Sequence, residues 1–472
     1  MKFIGREEEL ETLKKVAAKK TAKLIVIRGR RRIGKSRLAE QFGKNFDETL
    51  MFSGLAPQKG VNAQMQREDF ATQMADLLSI AKPAADDWGM LFRTLARFTE
   101  KKKLLLILDE ITWMGGADPT FLGKFKTVWD THFKKNPQLT IILSGSISSW
   151  IEENILSSTG FVGRITLDLK LDPLPLADCN QFWLKQKNLV SAYEKFKMLS
   201  VTGGIPRYLE EIVPTQSAEE NIKQTCFHPG GLLFREFDNI FSDLFSRRSN
   251  TYKNIVLQLL KRSKTLTEIC TSLKMTKSGT ISNYLDDLIT AGFVSCDTTW
   301  NLKSGKTGKQ IRYRLSDNYT RFYLKHVEPN REKIAMGSFS LPVNWESILG
   351  LQFENLILSN RSAIWRSLNI VKDEIVMHNP YCQSSTKRNK GTQIDYLIQI
   401  KYGTLFLCEI KFSKNEQPLS IVGEVQEKIN RLAKPKHCSI RPVLIHVNGV
   451  SDQVIETDFF AHIIDFGDLL NQ

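Results

Sequence analysis

The chain has 472 residues, of which 42% are hydrophobic, and a formal net charge of +15 at pH 7. This length favours about three domains. An excess of cations this large favours a polyanionic partner, above all DNA. The seven cysteines are scattered singly, a pattern that argues against a disulfide framework and against a zinc site.

No apolar run approaches the length of a membrane-spanning helix. Residues Met1–Gly5 lack the apolar core of a signal peptide. We therefore expect a cytoplasmic protein with no membrane partner.

Residues 29–36 form a complete P-loop pattern between an apolar strand and a helix. The strand is Lys23–Ile27, and the helix is indicated by Leu38, Phe42 and Phe46 at every fourth residue. The glycines let backbone N–H groups point at phosphates, the lysine reaches the terminal phosphates, and the serine ligates Mg²⁺. We expect ATP contacts from the loop and the first turn of the helix, at Gly29, Arg32, Ile33, Gly34, Lys35, Ser36 and Arg37.

A second acidic motif follows the apolar run Leu104–Leu108, which is typical of a strand buried on both faces of a parallel sheet. Asp109 would hold Mg²⁺ through the outer shell, and Glu110 would orient or deprotonate the attacking water. Together with the P-loop, this motif predicts hydrolysis of ATP and not binding alone.

Ser144 and Ser146 follow a third predicted strand, Leu139–Leu143, at the sheet edge where ligands bind. Either hydroxyl could contact the γ-phosphate or its attacking water. A simple strand-ending turn explains the motif about equally well. The alternation of strands and helices predicts an α/β P-loop ATPase core, AAA+-like, over residues 1–170.

A helical lid is predicted over residues 171–245. Its central break, residues 202–208, contains Gly203-Gly204-Ile205-Pro206 and places Arg207 at the start of a new helix, within reach of phosphates. Such a break is usually only a turn.

Residues 246–315 are predicted to form a winged helix-turn-helix. A first helix carries Ile255 and Leu259, Thr267 and Ser278 cap the second and third, and a hairpin returns through residues 311–315. The cations of the hairpin suit DNA phosphates, although such a module can instead serve as a structural lid or oligomer contact. The candidate DNA-binding residues are Lys303, Lys306, Lys309 and Arg312.

Residues 316–345 read as a linker interrupted by Pro329, Gly337 and Pro342. An α/β domain is predicted over residues 346–472, with an opening helix that carries Glu354. Strands are predicted at Ile394–Ile400, Leu405–Phe412, Val443–Val447 and Ala461–Asp465, and a helix at residues 421–433.

Within that domain, Asp395 opens one strand, and Glu409 and Lys411 lie on one face of the next. Hairpin pairing would bring the carboxylates of Asp395 and Glu409 together, and Glu354 can join them. Carboxylates suit Mg²⁺ or Mn²⁺, and the Ile410 carbonyl would complete the coordination sphere. Lys411 would then act on water or on the scissile phosphate. A salt bridge on an exposed sheet face is the simpler explanation of Glu-x-Lys alone.

These motifs, with Phe3–Glu7 and Gly163-Arg164, resemble the archaeal-type P-loop ATPases of the AAA+/STAND-related group. Many of these also carry a winged helix and a C-terminal domain similar to PD-(D/E)xK nucleases of the Holliday-junction-resolvase type. Ile394 stands where that nuclease motif has proline. The fold implied is α/β, with a restriction-endonuclease-like C-terminal domain.

The resemblance also implies individual roles. Ile4 and Gly5 would line the adenine pocket, and Ser144 or Ser146 would be the sensor. Arg164 would be an arginine finger acting in trans, which implies a homo-oligomer, a ring or partial ring, and Arg207 would be the second sensor. Glu354, Asp395, Glu409 and Lys411 would form the nuclease site.

The sequence thus predicts an ATP-hydrolysing, metal-dependent DNA endonuclease regulated by its ATPase module. The alternative is a nucleotide-switched DNA-binding or signalling ATPase whose C-terminal domain does not cleave. A membrane-associated signalling ATPase is a third, weaker interpretation.

Overall fold

The computed structural model of the protein describes residues 3–58, 60–100, 102–146, 149–245, 249–339, 341, 345–385 and 390–471. Contacts divide the chain into two compact units, Met1–Asp172 and Pro173–Gln472. The finer boundaries at residues 245, 315 and 345 stay predictions. None of the helices in the described ranges has the length and apolar character needed to cross a membrane.

The first unit is built on a parallel sheet of five strands in the order β2-β3-β4-β1-β5. The strands are β1 Lys23–Gly29, β2 Glu48–Ser53, β3 Leu104–Asp109, β4 Thr140–Ser146 and β5 Ile165–Leu171. The helices are α1 Glu7–Ala17, α2 Lys35–Gly43, α3 Ala63–Leu78, α4 Trp88–Phe98, α5 Ile111–Gly115, α6 Phe121–Thr131 and α7 Ser149–Ile151.

Every residue of β3 and β4 is buried, as expected for the centre of a sheet covered on both faces. An aromatic cluster around Trp88, Phe92 and Phe121 packs in the core of this unit. The pairing of β4 with β1 and with β3 places the carboxyl ends of these strands beside one another.

Helix α2 ends at Gly43, so Phe46 lies beyond it, and the prediction that Phe46 continues the helix face is wrong. The backbone turns there because Phe46 N–H bonds to the Gly43 carbonyl at 3.0 Å instead of continuing the helix ladder.

The second unit contains a hairpin and a mixed sheet among many helices. The helices are α8 Leu176–Asn180, α9 Ala192–Thr202, α10 Pro206–Leu209, α11 Ala218–Cys226, α12 Leu232–Phe245, α13 Ser249–Leu257, α14 Leu266–Leu273, α15 Gly279–Thr290, α16 Asn318–Phe322, α17 Arg331–Ala335, α18 Trp345–Ser359, α19 Arg361–Ser367, α20 Ser420–Arg431 and α21 Asp452–Glu456. The hairpin is β6 Val294–Trp300 and β7 Thr307–Leu315.

The mixed sheet has the order β12-β11-β10-β9-β8. Strands β8, β9 and β10 pair antiparallel, whereas β10, β11 and β12 pair parallel, with α20 between β10 and β11. The strands are β8 Ile375–Gln383, β9 Thr392–Ile400, β10 Thr404–Ile410, β11 Ser439–His446 and β12 His462–Asp465. The predicted pairing of the Asp395 and Glu409 strands is therefore confirmed.

Three further predictions need correction. The segment 316–345 is not simply a linker, because it contains α16 and α17, and Tyr319 and Phe322 are buried among aromatic rings. Pro342 lies outside the described residues. Helix α14 is capped two residues earlier than predicted, by Thr265 in a capping box with Glu268, and not by Thr267. Strand β10 ends at Ile410, two residues before Phe412.

Candidate functional site

The P-loop connects β1 to α2 through a strained backbone. Gly34 has φ 93° and caps α2, and Arg32 has φ 70°, a conformation uncommon for a residue other than glycine. At Gly29 a Cβ atom would lie 2.8 Å from Ile33 Cγ2 and 3.0 Å from the Leu171 carbonyl. A larger residue at Gly29 would therefore clash with Ile33 and Leu171 unless the loop shifted.

The two ATPase motifs meet through one hydrogen bond. Ser36 Oγ donates to Asp109 Oδ2 at 2.7 Å. Asp109 is buried at the end of β3, and its Oδ1 has no hydrogen-bond partner among the described residues. A serine hydroxyl beside a buried carboxylate with one unsatisfied oxygen fits a hard Mg²⁺ ion. Lys35 Nζ lies nearby and donates to the Gly29 and Arg30 carbonyls at 3.2 and 3.4 Å.

Glu110 is the first residue after β3 and adopts a left-handed backbone conformation, with φ 50° and ψ 51°. Its carbonyl accepts a hydrogen bond from Trp113 N–H at 2.8 Å and so starts α5. Strain of this kind is commonly found at functional sites. The turn places the side chain at the carboxyl edge of the sheet, beside Asp109.

Ser144 and Ser146 lie inside β4 and not in a turn after it, so the simpler explanation of this motif is wrong. Ser146 pairs with Gly29 and Ser144 with Ile27. Both hydroxyl oxygens are buried without a hydrogen-bond partner in the described part of the chain. A buried hydroxyl without a partner is costly, and Ser146 lies directly beside the start of the P-loop.

The segment before α1 is tied to the P-loop by Arg6, which the sequence analysis did not assign a role. Arg6 is buried, and it donates to the Ile33 carbonyl at 3.3 Å and the Asp172 carbonyl at 2.6 Å. Ile4 and Gly5 precede it, so they are held near the loop. A role for Arg6 could have been suspected from the sequence, because Arg6 lies within the Gly5-Arg6-Glu7 motif.

Arg164 is engaged within its own chain. Its guanidinium donates to both carboxylate oxygens of Asp130, at 3.0 and 2.8 Å, and to the Gly160 carbonyl at 3.0 Å. The hydrogen bond to Asp130 raises the pKa of Arg164. Arg164 would have to leave Asp130 to reach a neighbouring nucleotide.

Arg207 belongs to the second unit. It lies on α10 and forms ion pairs with Glu211 at 2.6 Å and Glu210 at 3.5 Å. Its predicted role as a second sensor stays a prediction.

In the second unit, β9, β10 and α18 bring Asp395, Glu409 and Glu354 into electrostatic contact. Ile410 N–H donates to Asp395 Oδ2 at 3.0 Å, which fixes that carboxylate across the β9–β10 pair. Burial, and then the charge of Glu409, raises the pKa of Asp395 to about 6. Burial, and then the charge of Asp395, raises the pKa of Glu354 to about 7. Shifts of this kind are typical of functional carboxylates, although structural networks also produce them.

Two lysines neutralise these acids. Lys411 Nζ lies 3.2 Å from Glu409 Oε1 and 2.9 Å from Glu424 Oε2. Lys428 Nζ bonds to Glu409 Oε2 and lies 3.6 Å from Asp395 Oδ1. In the described ranges, no three His, Cys, Asp or Glu side chains are grouped so as to hold a metal ion. Lys428 also lies between two of the acids. The assignment of metal ligands therefore stays a prediction for Glu354, Asp395, Glu409 and the Ile410 carbonyl.

Lys428 was not among the residues predicted from the sequence. Ile421 and Val425 on α20 are buried, and Lys428 follows three residues later on the same helix face. Lys428 could have been identified from the sequence, because a lysine stands there at a helix position where an apolar residue is expected. Its positive charge faces the two carboxylates that the sequence predicted.

The wing of the winged helix does not project freely. Trp300 and Leu302, near its tip, are buried in the core of the C-terminal sheet. Trp300 Nε1 donates to Gln399 Oε1 at 2.5 Å, and Gln399 Nε2 donates to the Leu302 carbonyl at 3.0 Å. The hairpin and the sheet are therefore packed as one structure.

Among the predicted wing cations, Lys303 and Lys306 are exposed, and the Lys309 side chain lies outside the described residues. Arg312 differs from the two exposed lysines, because it donates to the Ser263 hydroxyl at 3.1 Å and carbonyl at 2.6 Å. It is only 16% exposed. These hydrogen bonds join the wing to the turn before α14, and the assignment of Arg312 to DNA stays a prediction.

A second exposed surface of the winged helix was not selected from the sequence. Residues 274–280, from the end of α14 into the first turn of α15, are all exposed. They include Lys274 and Lys277 and the hydroxyl groups of Thr276, Ser278 and Thr280. This surface could have been selected from the sequence, because the segment is the start of the third helix of the predicted winged helix-turn-helix.

Two family models match parts of the chain. An ATPase domain found predominantly in Archaea matches residues 3–212, and the bacterial regulatory protein, arsR family, matches residues 251–295. An uncharacterized protein of Methanocaldococcus jannaschii is 29% identical over 363 residues, which cover 75% of this chain and 76% of that protein.

Two solved structures superpose on parts of the chain, and of these two the first has a TM-score above 0.5. The Walker-type ATPase of Pyrococcus abyssi superposes with a TM-score of 0.52 at 17% identity, over 68% of this chain and 96% of that chain. The Aeropyrum pernix ORC2 protein, solved as ADPNP–ADP complexes, gives a TM-score of 0.42 at 15% identity, over 71% of this chain and 95% of that chain. The two family models assign residues 3–212 to an archaeal-type ATPase domain with a P-loop fold, and residues 251–295 to part of a winged helix of the ArsR type.

Proposed function

We propose that this protein is an ATPase that controls a metal-dependent DNA-cleaving site in its C-terminal domain. The observation that carries the proposal is that Lys428 contacts both Asp395 and Glu409. Burial, and then the charge of a neighbouring acid, raises the pKa values of Asp395 and Glu354. Lys411 adjoins Glu409 at 3.2 Å. Acids and a lysine in one buried site are the groups that metal-dependent phosphodiester cleavage requires.

In this proposal ATP binds at the P-loop. Lys35 contacts the terminal phosphates, and Ser36 and Asp109 hold Mg²⁺. Glu110 orients the attacking water, and Ser146, or Ser144 behind it, contacts the γ-phosphate. The unsatisfied oxygens of Asp109, Ser144 and Ser146 support these roles, since a bound nucleotide, metal ion or water would satisfy them.

Cleavage would proceed with Asp395 and Glu409 on Mg²⁺ or Mn²⁺ and with Glu354 as a further ligand. The ion would take the place of Lys428 between the two carboxylates. Lys411 would remain beside Glu409 and act on the water or the scissile phosphate. The ion supplies Lewis acidity and lowers the pKa of bound water.

DNA would lie against the winged helix. The exposed segment 274–280 opens α15, a twelve-residue helix, and carries Lys274 and Lys277. Such a helix is the element that enters the major groove in helix-turn-helix proteins. Lys303 and Lys306 add phosphate contacts on the hairpin, and the strong positive charge of the chain favours binding without base selectivity.

Purified protein incubated with linear, supercoiled and branched DNA tests the proposal directly. We expect cleavage with Mg²⁺ or Mn²⁺, and loss of cleavage in Asp395→Ala, Glu409→Ala and Lys411→Ala. Glu456→Ala, an exposed acid on α21, is the matched control and should cut at the parental rate. The proposal is abandoned if every DNA form survives in Mn²⁺ both with and without ATP.

A second function is a nucleotide-switched DNA-binding or signalling ATPase that does not cleave. Neutralisation of Glu409 by Lys411 and Lys428 favours it, because a structural ion-pair network needs no metal. DNA retention that depends on ATP, without strand breaks in any of the metals above, would support this function instead.

A homo-oligomer is proposed because Arg164 would act on the nucleotide of a neighbouring subunit. Such an arginine can raise the rate on the order of a thousandfold. Mixing Arg164→Ala with Lys35→Ala protein should restore part of the ATPase activity. Full turnover by a strictly monomeric protein would rule this arrangement out.

A further inference from the structure

A cavity of about 400 Å³ lies at the edge of the first-unit sheet opposite the P-loop. It is formed by the end of α1, by Phe46 and Pro137, and by four lysines, which are Lys19, Lys20, Lys23 and Lys103. Lys23 opens β1, Lys103 precedes β3, and Pro137 precedes β4, so the cavity lies at the amino ends of these strands. Seven-residue β1 separates it from the P-loop by about 20 Å.

The charge of this cavity is of one sign. In the described ranges no Asp or Glu lines it, and none of its four lysines forms an ion pair with a carboxylate. The neighbouring Lys102 behaves differently, because its Nζ lies 2.8 Å from Glu48. Four unneutralised cations around one cavity repel each other, and an anion would relieve that repulsion.

One of the four lysines is buried. Only 3% of Lys23 is exposed, and its Nζ donates to the Pro137 carbonyl at 2.9 Å. Burial, and then the charge of Lys103, lowers the pKa of Lys23. Burying an ammonium group beside another without a carboxylate is unfavourable. A solvated surface lysine would avoid this cost, and a counter-charge from a bound ligand would offset it.

The cavity also offers a flat apolar wall. Lys103 Nζ lies 5.7 Å from the centroid of the Phe46 ring, which holds the cation beside an aromatic face. We propose that this cavity binds a ligand with adjacent phosphate groups, independently of the ATP site. Free polyphosphate and the backbone of a nucleic acid share this chemistry.

Lysine acetylation followed by peptide mass spectrometry locates the ligand. The full-length Lys35→Ala protein is labelled alone, with inorganic tripolyphosphate, and with single-stranded oligothymidylate. We expect tripolyphosphate to slow acetylation of Lys19, Lys20 and Lys103 while that of Lys102 is unchanged. Protection by the oligothymidylate as well assigns the site to nucleic acid, and protection by tripolyphosphate alone assigns it to a free polyphosphate.

Affinity gives the second readout. In the Lys35→Ala background, the exposed pair Lys19→Ala and Lys103→Ala should weaken tripolyphosphate binding about tenfold at low salt, as expected for the loss of two charge contacts. Lys102→Ala is the matched control and should bind normally. The proposal is overturned if no ligand protects the cavity lysines, or if the double variant binds as tightly as the control.

Discussion

Glu110 shows how one residue can combine backbone strain with chemistry. Its left-handed conformation turns the chain immediately after β3, so the side chain follows Asp109 at the edge where the P-loop lies. Asp109 holds the Ser36 hydroxyl, which leaves Glu110 as the acid assigned to the attacking water.

Replacing Glu110 by Gln should preserve ATP binding and slow hydrolysis by about 10² to 10⁴, since an amide cannot accept the proton from water. Glutamine has the same size and can adopt the same backbone conformation. ATP binding is measured by fluorescence of a labelled nucleotide, and hydrolysis by phosphate release. Glu40→Gln, on the exposed side of α2, is the control. Hydrolysis by Glu110→Gln at the parental rate would show that this role is wrong.

Glu354 gives a prediction about pH. Burial and Asp395 raise its pKa to about 7 from an ordinary value of 4.5. The folded state therefore binds the proton more tightly than the unfolded state, and this group makes folding less stable as pH rises from about 4.5 to 7.

Glu354→Gln should remove this dependence. The variant should be more stable than the parent at pH 7.5, by on the order of 1–2 kcal/mol, and the difference should shrink as pH falls towards 5. Urea unfolding at a series of pH values measures both. Glu456→Gln should follow the parental curve. A constant difference between Glu354→Gln and the parent at all pH values would contradict the electrostatic explanation.

At the scale of elements, the sequence predicted the segments whose signals are local. The strand–loop–helix of the P-loop, the three helices and hairpin of the winged helix, and the β9–β10 pair all rest on short-range periodicity and caps. Strand β8 was missed because His378, Asn379 and Pro380 interrupt its pattern. Proline is tolerated there because β8 is an edge strand with a register shift at that point.

Long-range contacts could not be read from the sequence. Trp300 has the pattern of an ordinary hairpin residue, and only the fold places it in the core of a sheet that begins about 75 residues later. Lys428 and Arg312 are further examples, since each cation finds its partners far along the chain. The sequence therefore predicted the acids of the candidate site but not Lys428, the cation that lies among them.

DNA binding can be divided between the two surfaces of the winged helix. Each phosphate neutralised contributes about −0.9 to the slope of log K against log salt concentration. Replacing Lys274 and Lys277 by Ala should flatten the slope by about 1.8 if both contact phosphate. Lys303→Ala with Lys306→Ala should have a comparable effect if the hairpin also binds.

Fluorescence anisotropy of labelled duplex at several salt concentrations gives both slopes. Lys372→Ala, an exposed lysine in the turn before β8, is the control. Unchanged slopes in both double variants would assign the winged helix a purely structural role.

At the scale of the whole molecule, we propose different chemistry for the two compact units. Nucleotide chemistry belongs to residues of Met1–Asp172, and the acidic site to residues of Pro173–Gln472. Variants in one unit should therefore leave the reacting groups of the other intact, although nucleotide can still control when DNA is cut.

Single-turnover cleavage of labelled DNA in Mn²⁺ by Lys35→Ala and Asp395→Ala proteins, assayed side by side with ATP hydrolysis, tests the central claim most directly. We expect that Lys35→Ala loses ATPase activity but retains the ability to cut under some nucleotide condition, whereas Asp395→Ala hydrolyses ATP and cuts nothing. Cleavage by Asp395→Ala at the parental rate would contradict it.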